Sequence, residues 1–90
     1  MKRLEIIHLR SSGRPLEPLG DRIRESIRSG GEGSAVVTLY RRHELETDLA
    51  VHVCHHGEPQ EPGPSDLALK LASALRAYGL VEHTLWEELR

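Results

Sequence analysis

The residues with the widest chemical reach lie together in DLAVHVCHHG, Asp48 to Gly57, where three of the six histidines flank the only cysteine. Imidazole and thiolate are ligands for zinc or copper. An imidazolium beside a thiol can also hold it as a reactive thiolate. Both uses depend on where the side chains point. Residues two apart in a strand lie roughly 6.8 Å apart, close enough for a His and a Cys to share an ion, whereas His52 and His56 are separated by roughly 13 Å. The run therefore brings at most two ligands together, and a metal centre would need His8 or a second subunit to complete it. No bound metal is expected. For Cys54 as a nucleophile, no Asp or Asn is placed by sequence to orient a histidine, and no helix N-terminus follows to form an oxyanion hole. The plain reading is a small, half-buried residue. A further turn, SSGRP at Ser11 to Pro15, precedes a helical pattern and has the composition of an anion cradle, though a simple capped loop explains it as well.

The elements that must position these groups follow from periodicity. RLEIIHLR, Arg3 to Arg10, is a short apolar run ended by Ser11, Ser12 and Gly13, and reads as a first strand. In PLEPLGDRIRESIRSGG the apolar residues Leu16, Leu19, Ile23 and Ile27 recur at helical spacing, with Pro18 tolerated in the first turn and Gly30 and Gly31 as the stop. SAVVTLYRR, Ser34 to Arg42, and ETDLAVHV alternate as two arms of a hairpin, with Val37 and Leu39 on one side and Val36, Thr38 and Tyr40 on the other. The Pro- and Gly-rich GEPQEPGP is irregular. Ser65 caps a second helix, DLALKLASALRAY, with Ala68, Leu71, Ala72 and Leu75 as its buried stripe and Gly79 at its end. VEHTLWEEL then alternates Val81, His83 and Leu85 against Glu82, Thr84 and Trp86 as a last strand.

Composition bounds the rest. With 90 residues, 38% of them hydrophobic and 29% charged, the chain makes one small domain and no second one. No segment reaches the ~18 apolar residues of a membrane span, and the N-terminus lacks a signal-peptide pattern, so the expectation is a cytoplasmic protein without membrane contact. A net charge of −2 argues against nucleic acid as a partner. The charges divide unevenly, +4 over residues 1–42 and −6 over 43–90, which suits solvated helix faces or charge-complementary self-association.

The order β-α-β-β-α-β resembles the ferredoxin-like arrangement: α+β, a four-stranded antiparallel sheet in order 4-1-3-2 with both helices on one face. The resemblance is one of topology over nearly the whole chain. The metal-chaperone branch of that fold would carry a cysteine pair after the first strand, where Ser11 to Arg14 stand. The RNA-recognition branch would carry aromatics on the central strands.

In this frame His52, Cys54 and His56 point to the helix-free face together with Tyr40 and Trp86. The first strand adds either Glu5, Ile7 and Leu9 or Leu4, Ile6 and His8. That face is too apolar to lie bare, so a homo-oligomer, a dimer in the simplest case, is expected, with room for a small-molecule ligand against Tyr40, His52, Cys54, His56, Trp86 and His8. Two functions fit. One is a non-catalytic binding or scaffold module, a homodimer with sheets face to face that resembles the dimeric α+β barrels. The other is an enzyme on the same architecture, similar in shape to the small cofactor-free monooxygenases or their haem-degrading relatives. Only Tyr40, Tyr78 and Trp86 are aromatic, which favours the module, and the residues name no cofactor.

Overall fold

The computed structural model describes residues 2–11, 17–30, 35–43, 47–55 and 63–89, with the side chains of 19–25 in the second segment. The elements run β1 (Arg3–Ser11), α1 (Glu17–Gly30), β2 (Val36–Arg41), β3 (Asp48–His55), α2 (Asp66–Leu75), a 3₁₀ turn (Arg76–Tyr78) and β4 (Gly79–Glu87). All pairings are antiparallel and the strand order is β2-β3-β1-β4, the ferredoxin-like order expected from the sequence. Pro18 lies in the first turn of α1, where a missing N–H leaves no helical bond unmade. The strand β4 begins at Gly79, two residues before its alternating pattern becomes visible.

The side-chain alternation of the two central strands divides the sheet into an inner and an outer face. Ile7 and Leu9 of β1 and Leu49, Val51 and Val53 of β3 are buried against Leu19 and Ile23 of α1 and Ala68, Leu71, Ala72 and Leu75 of α2, with Val37, Leu39 and Val81 packed at the edges. This settles the register of β1: Glu5, Ile7 and Leu9 face the helices, and Leu4, Ile6 and His8 face away. Arg22 of α1 donates to the Tyr78 hydroxyl at 2.7 Å, tying the first helix to the end of the second.

Ser65 performs two tasks. Its Oγ accepts from the Ala68 N–H at 3.2 Å as the cap of α2, and its own hydroxyl proton goes to the Glu5 carboxylate at 2.5 Å. Glu5 is fully buried, yet its carboxyl is held below the usual glutamate value. Burial opposes ionisation strongly, but the hydrogen bonds from Ser65 and His55 together outweigh it.

Gly79 is fixed by contact with β1. A Cβ there would lie 2.0 Å from the Arg10 carbonyl oxygen and 2.9 Å from its carbon, both backbone atoms that cannot swing aside. Gly79→Ala is therefore expected to push β4 from β1 and to destabilise by about 1–3 kcal/mol. Urea unfolding measures this, and a midpoint equal to the parent's would mean that the strands part without penalty.

Candidate functional site

The outward residues form a grid whose rows cross all four strands. Val36, Cys54, Leu4 and Trp86 make one row, Thr38, His52, Ile6 and Thr84 the next, and Tyr40, Ala50, His8 and Glu82 the third. No helix residue of the core cluster lies on this side. Tyr40 and Trp86, on the two edge strands, are 50% and 55% exposed.

Within the grid the rings of Tyr40 and His52 meet, centroids 4.5 Å apart and tilted by 52°. This comes from the diagonal offset of Tyr40 and His52 on paired strands. The Trp86 Nε1–H donates to Thr84 Oγ1 at 2.9 Å, so the indole lies along its own strand. Cys54 is a half-buried free thiol. At one end of the face Asp48 accepts from His8 Nε2 at 3.1 Å and from Arg42 Nη1 at 3.2 Å, with Arg10 Nε at 4.0 Å. Desolvation works against the Asp48 charge, but the bonds from His8 and Arg42 hold its carboxyl below the usual aspartate value.

Tyr40, His52, Cys54 and Trp86 lie on the open face, and the register of β1, which the sequence left open, adds His8. His56 lies outside the described residues, as do residues 12–16 of the turn considered as an anion cradle. His55 points to the helix side. Among the described residues no three His, Cys, Asp or Glu side chains are placed to hold one metal ion. No described helix is long and apolar enough to cross a membrane.

Residue spacing alone places no carboxylate to orient a histidine of the Cys54 run. The fold supplies two: Asp48 for His8, and Glu5 for His55 and His83. The signal was a lone acid, Glu5, inside an apolar strand at a position that alternation could place inward. It was legible only as one of two registers.

No protein-family profile matches the chain, and no curated protein sequence does. Solved structures do match in shape. Rv0793 from Mycobacterium tuberculosis superposes with a TM-score of 0.70 at 14% identity, over 100% of this chain and 97% of that one. SnoaB from Streptomyces nogalater, a cofactor-independent oxygenase, superposes with a TM-score of 0.66 at 19% identity, over 99% and 94%. A single-substitution variant of SnoaB gives 0.68 at 20% identity with the same coverage. At these identities the likeness is one of fold: a four-stranded antiparallel sheet in the order β2-β3-β1-β4 with two helices, the ferredoxin-like α+β arrangement.

Proposed function

We propose that the protein is a homodimeric binding module that closes through its open sheet face and holds a small, largely apolar ligand between the two sheets. The observation that carries this reading is the outward grid, which no described helix covers, with half-buried Leu4 and Ile6 at its centre and Tyr40, His52, Cys54 and Trp86 around them. Four strands ~4.8 Å apart and about eight residues long present on the order of 500 Å² each, or ~1,000 Å² for two faces, which reaches the lower range of specific interfaces. Two sheets packed ~10 Å apart leave space for one small molecule wherever side chains are short, as at Thr38, Ala50 and Thr84.

Native mass spectrometry of the purified chain tests both parts at once. A dimer of about 20 kDa, twice the 10.1 kDa chain, with or without retained small-molecule mass, is the expected species. A monomer at micromolar concentration in native spectra and in sedimentation would end this reading.

A second reading draws on the shape shared with SnoaB, a cofactor-independent oxygenase. Oxygenation without a cofactor takes its electrons from the substrate, so the ligand would be an oxidisable enol, phenol or hydroquinone. Dioxygen uptake in the presence of a naphthohydroquinone, faster than in protein-free buffer and lost on heat denaturation, distinguishes the enzyme from the module.

A further inference from the structure

Glu5 stands on the other side of the sheet from Ile6, and its carboxylate collects four donors. Oε1 receives the Ser65 N–H at 2.9 Å and His83 Nε2 at 3.3 Å; Oε2 receives Ser65 Oγ at 2.5 Å and His55 Nε2 at 2.6 Å. An ionised carboxylate can only accept, so each ring must present Nε2–H to it. A neutral ring held this way is fixed in the tautomer whose Nδ1 carries a lone pair. Among the described residues neither Nδ1 has a partner, and neither is a buried atom left without one. Neither lone pair is thus engaged by a described group, and each ring keeps part of its surface exposed.

The surroundings suit a ligand. His55 and His83 keep 20% and 12% of their side chains exposed, while Glu5 behind them is fully buried. Leu85, paired with Glu5 across the sheet and on the same face, is 45% exposed, so the helices leave this edge of the sheet uncovered. Charged groups on the neighbouring elements include Arg3 of β1, whose Nη1 donates to the Gly63 carbonyl at 3.1 Å, Glu87 of β4 and Asp66 of α2; Arg10 of β1, Asp48 of β3, Glu82 of β4 and Lys70 of α2 also lie on these elements.

We propose that His55, backed by Glu5, is a general base, and that the surface around His55, His83 and Leu85 takes a small, largely apolar molecule that loses a proton from carbon or from an enol or phenol oxygen. The Nδ1 lone pair of His55 forms an N–H bond as the substrate C–H or O–H bond breaks. The electron pair of that bond remains on the substrate as an enolate or phenolate. The positive charge gained by the ring rests 2.6 Å from the Glu5 carboxylate, which holds the imidazole in one tautomer and stabilises the imidazolium. The proton leaves with product or to water. His83, on the other carboxylate oxygen, is a positioning residue. This base faces away from the open sheet face and stands whether or not two chains pair there.

The compound 5-nitrobenzisoxazole is a direct probe. A base removes its ring C–H proton, the freed electron pair completes a C≡N bond, the N–O bond breaks, and the phenolate is read by its absorbance. The full chain is expected to exceed free imidazole at equal concentration by at least about a hundredfold, in the range of positioned bases. His55→Gln keeps an N–H for Glu5 but has no basic nitrogen to take a proton, and is expected to lose nearly all of that acceleration. His43→Gln, in the turn after β2, should retain it. Nitrogen-15 spectra of the unmodified chain should show Nε2–H and bare Nδ1 at both His55 and His83 at pH 8. A rate no greater than free imidazole, a His55→Gln variant as fast as the parent, or an Nδ1–H tautomer at His55 would each overturn the proposal.

Discussion

Glu5→Ala is expected to destabilise the fold by about 2–4 kcal/mol, out of roughly 5–15 kcal/mol for a domain of ordinary stability. The carboxylate is the common acceptor for β3, β4 and the start of α2, through His55, His83 and Ser65. Removing it leaves the half-buried Ser65 N–H and hydroxyl without their acceptor, while the two imidazoles can recover water only on their exposed edges. At about 1 kcal/mol per molar urea for a chain of this size, the unfolding midpoint should fall by roughly 2–4 M. The acid dependence should change as well. Because Glu5 is held below its ordinary value of 4.5 in the folded chain, its contribution is fully present above that value and is lost as pH falls through the lower, folded one. The parent should thus weaken progressively below about pH 4.5, and the Glu5→Ala variant should weaken less over the same interval. Asp48, lowered in the same direction, retains its own share of acid sensitivity in both chains. Equal midpoints, or equal acid slopes, would show that the buried carboxylate contributes nothing.

Glu5 also marks the boundary of what the residues alone reveal. Strand alternation in VVTLY and LAVHV, the helical stripes of the two amphipathic segments and the Ser65 cap each follow from local spacing, and together they fix the β-α-β-β-α-β order and the sheet order observed. In β1 this logic fails, since LEIIHL has apolar residues at both parities and either set could be buried. The deciding interaction is non-local: Glu5 is satisfied inside only because His55, His83 and Ser65, fifty to seventy-eight residues away, converge on it. For the same reason the partnership of Asp48 with His8, forty residues apart, was invisible, whereas the shared face of His52 and Cys54 needed only a count of two. The open face was legible as a surface, but its orienting carboxylates were not.

The second large effect is expected at the centre of that face. Ile6 pairs with His52 on one side and Thr84 on the other, so in a face-to-face dimer it lies near the two-fold axis and approaches its own counterpart. Ile6→Asp would place two carboxylates close together in a space from which water is excluded. A like-charge pair of this kind, added to the lost apolar contact, should shift dissociation by at least about 3 kcal/mol, more than a hundredfold in the dimer constant. The monomer should nevertheless fold, because Ile6 points away from Ile7, Leu9 and the helices and contributes nothing to the buried core cluster. Sedimentation should then report a single 10.1 kDa species with an unchanged far-ultraviolet dichroism spectrum. The corresponding substitution on the other face, Ile7→Asp, should instead abolish folding, since Ile7 is fully buried among the helices. If Ile6→Asp leaves a dimer of the parent's stability, the chains do not meet through this face. If it unfolds the chain as Ile7→Asp does, the outer face is covered within the monomer, and a partner is not needed to explain its apolar residues.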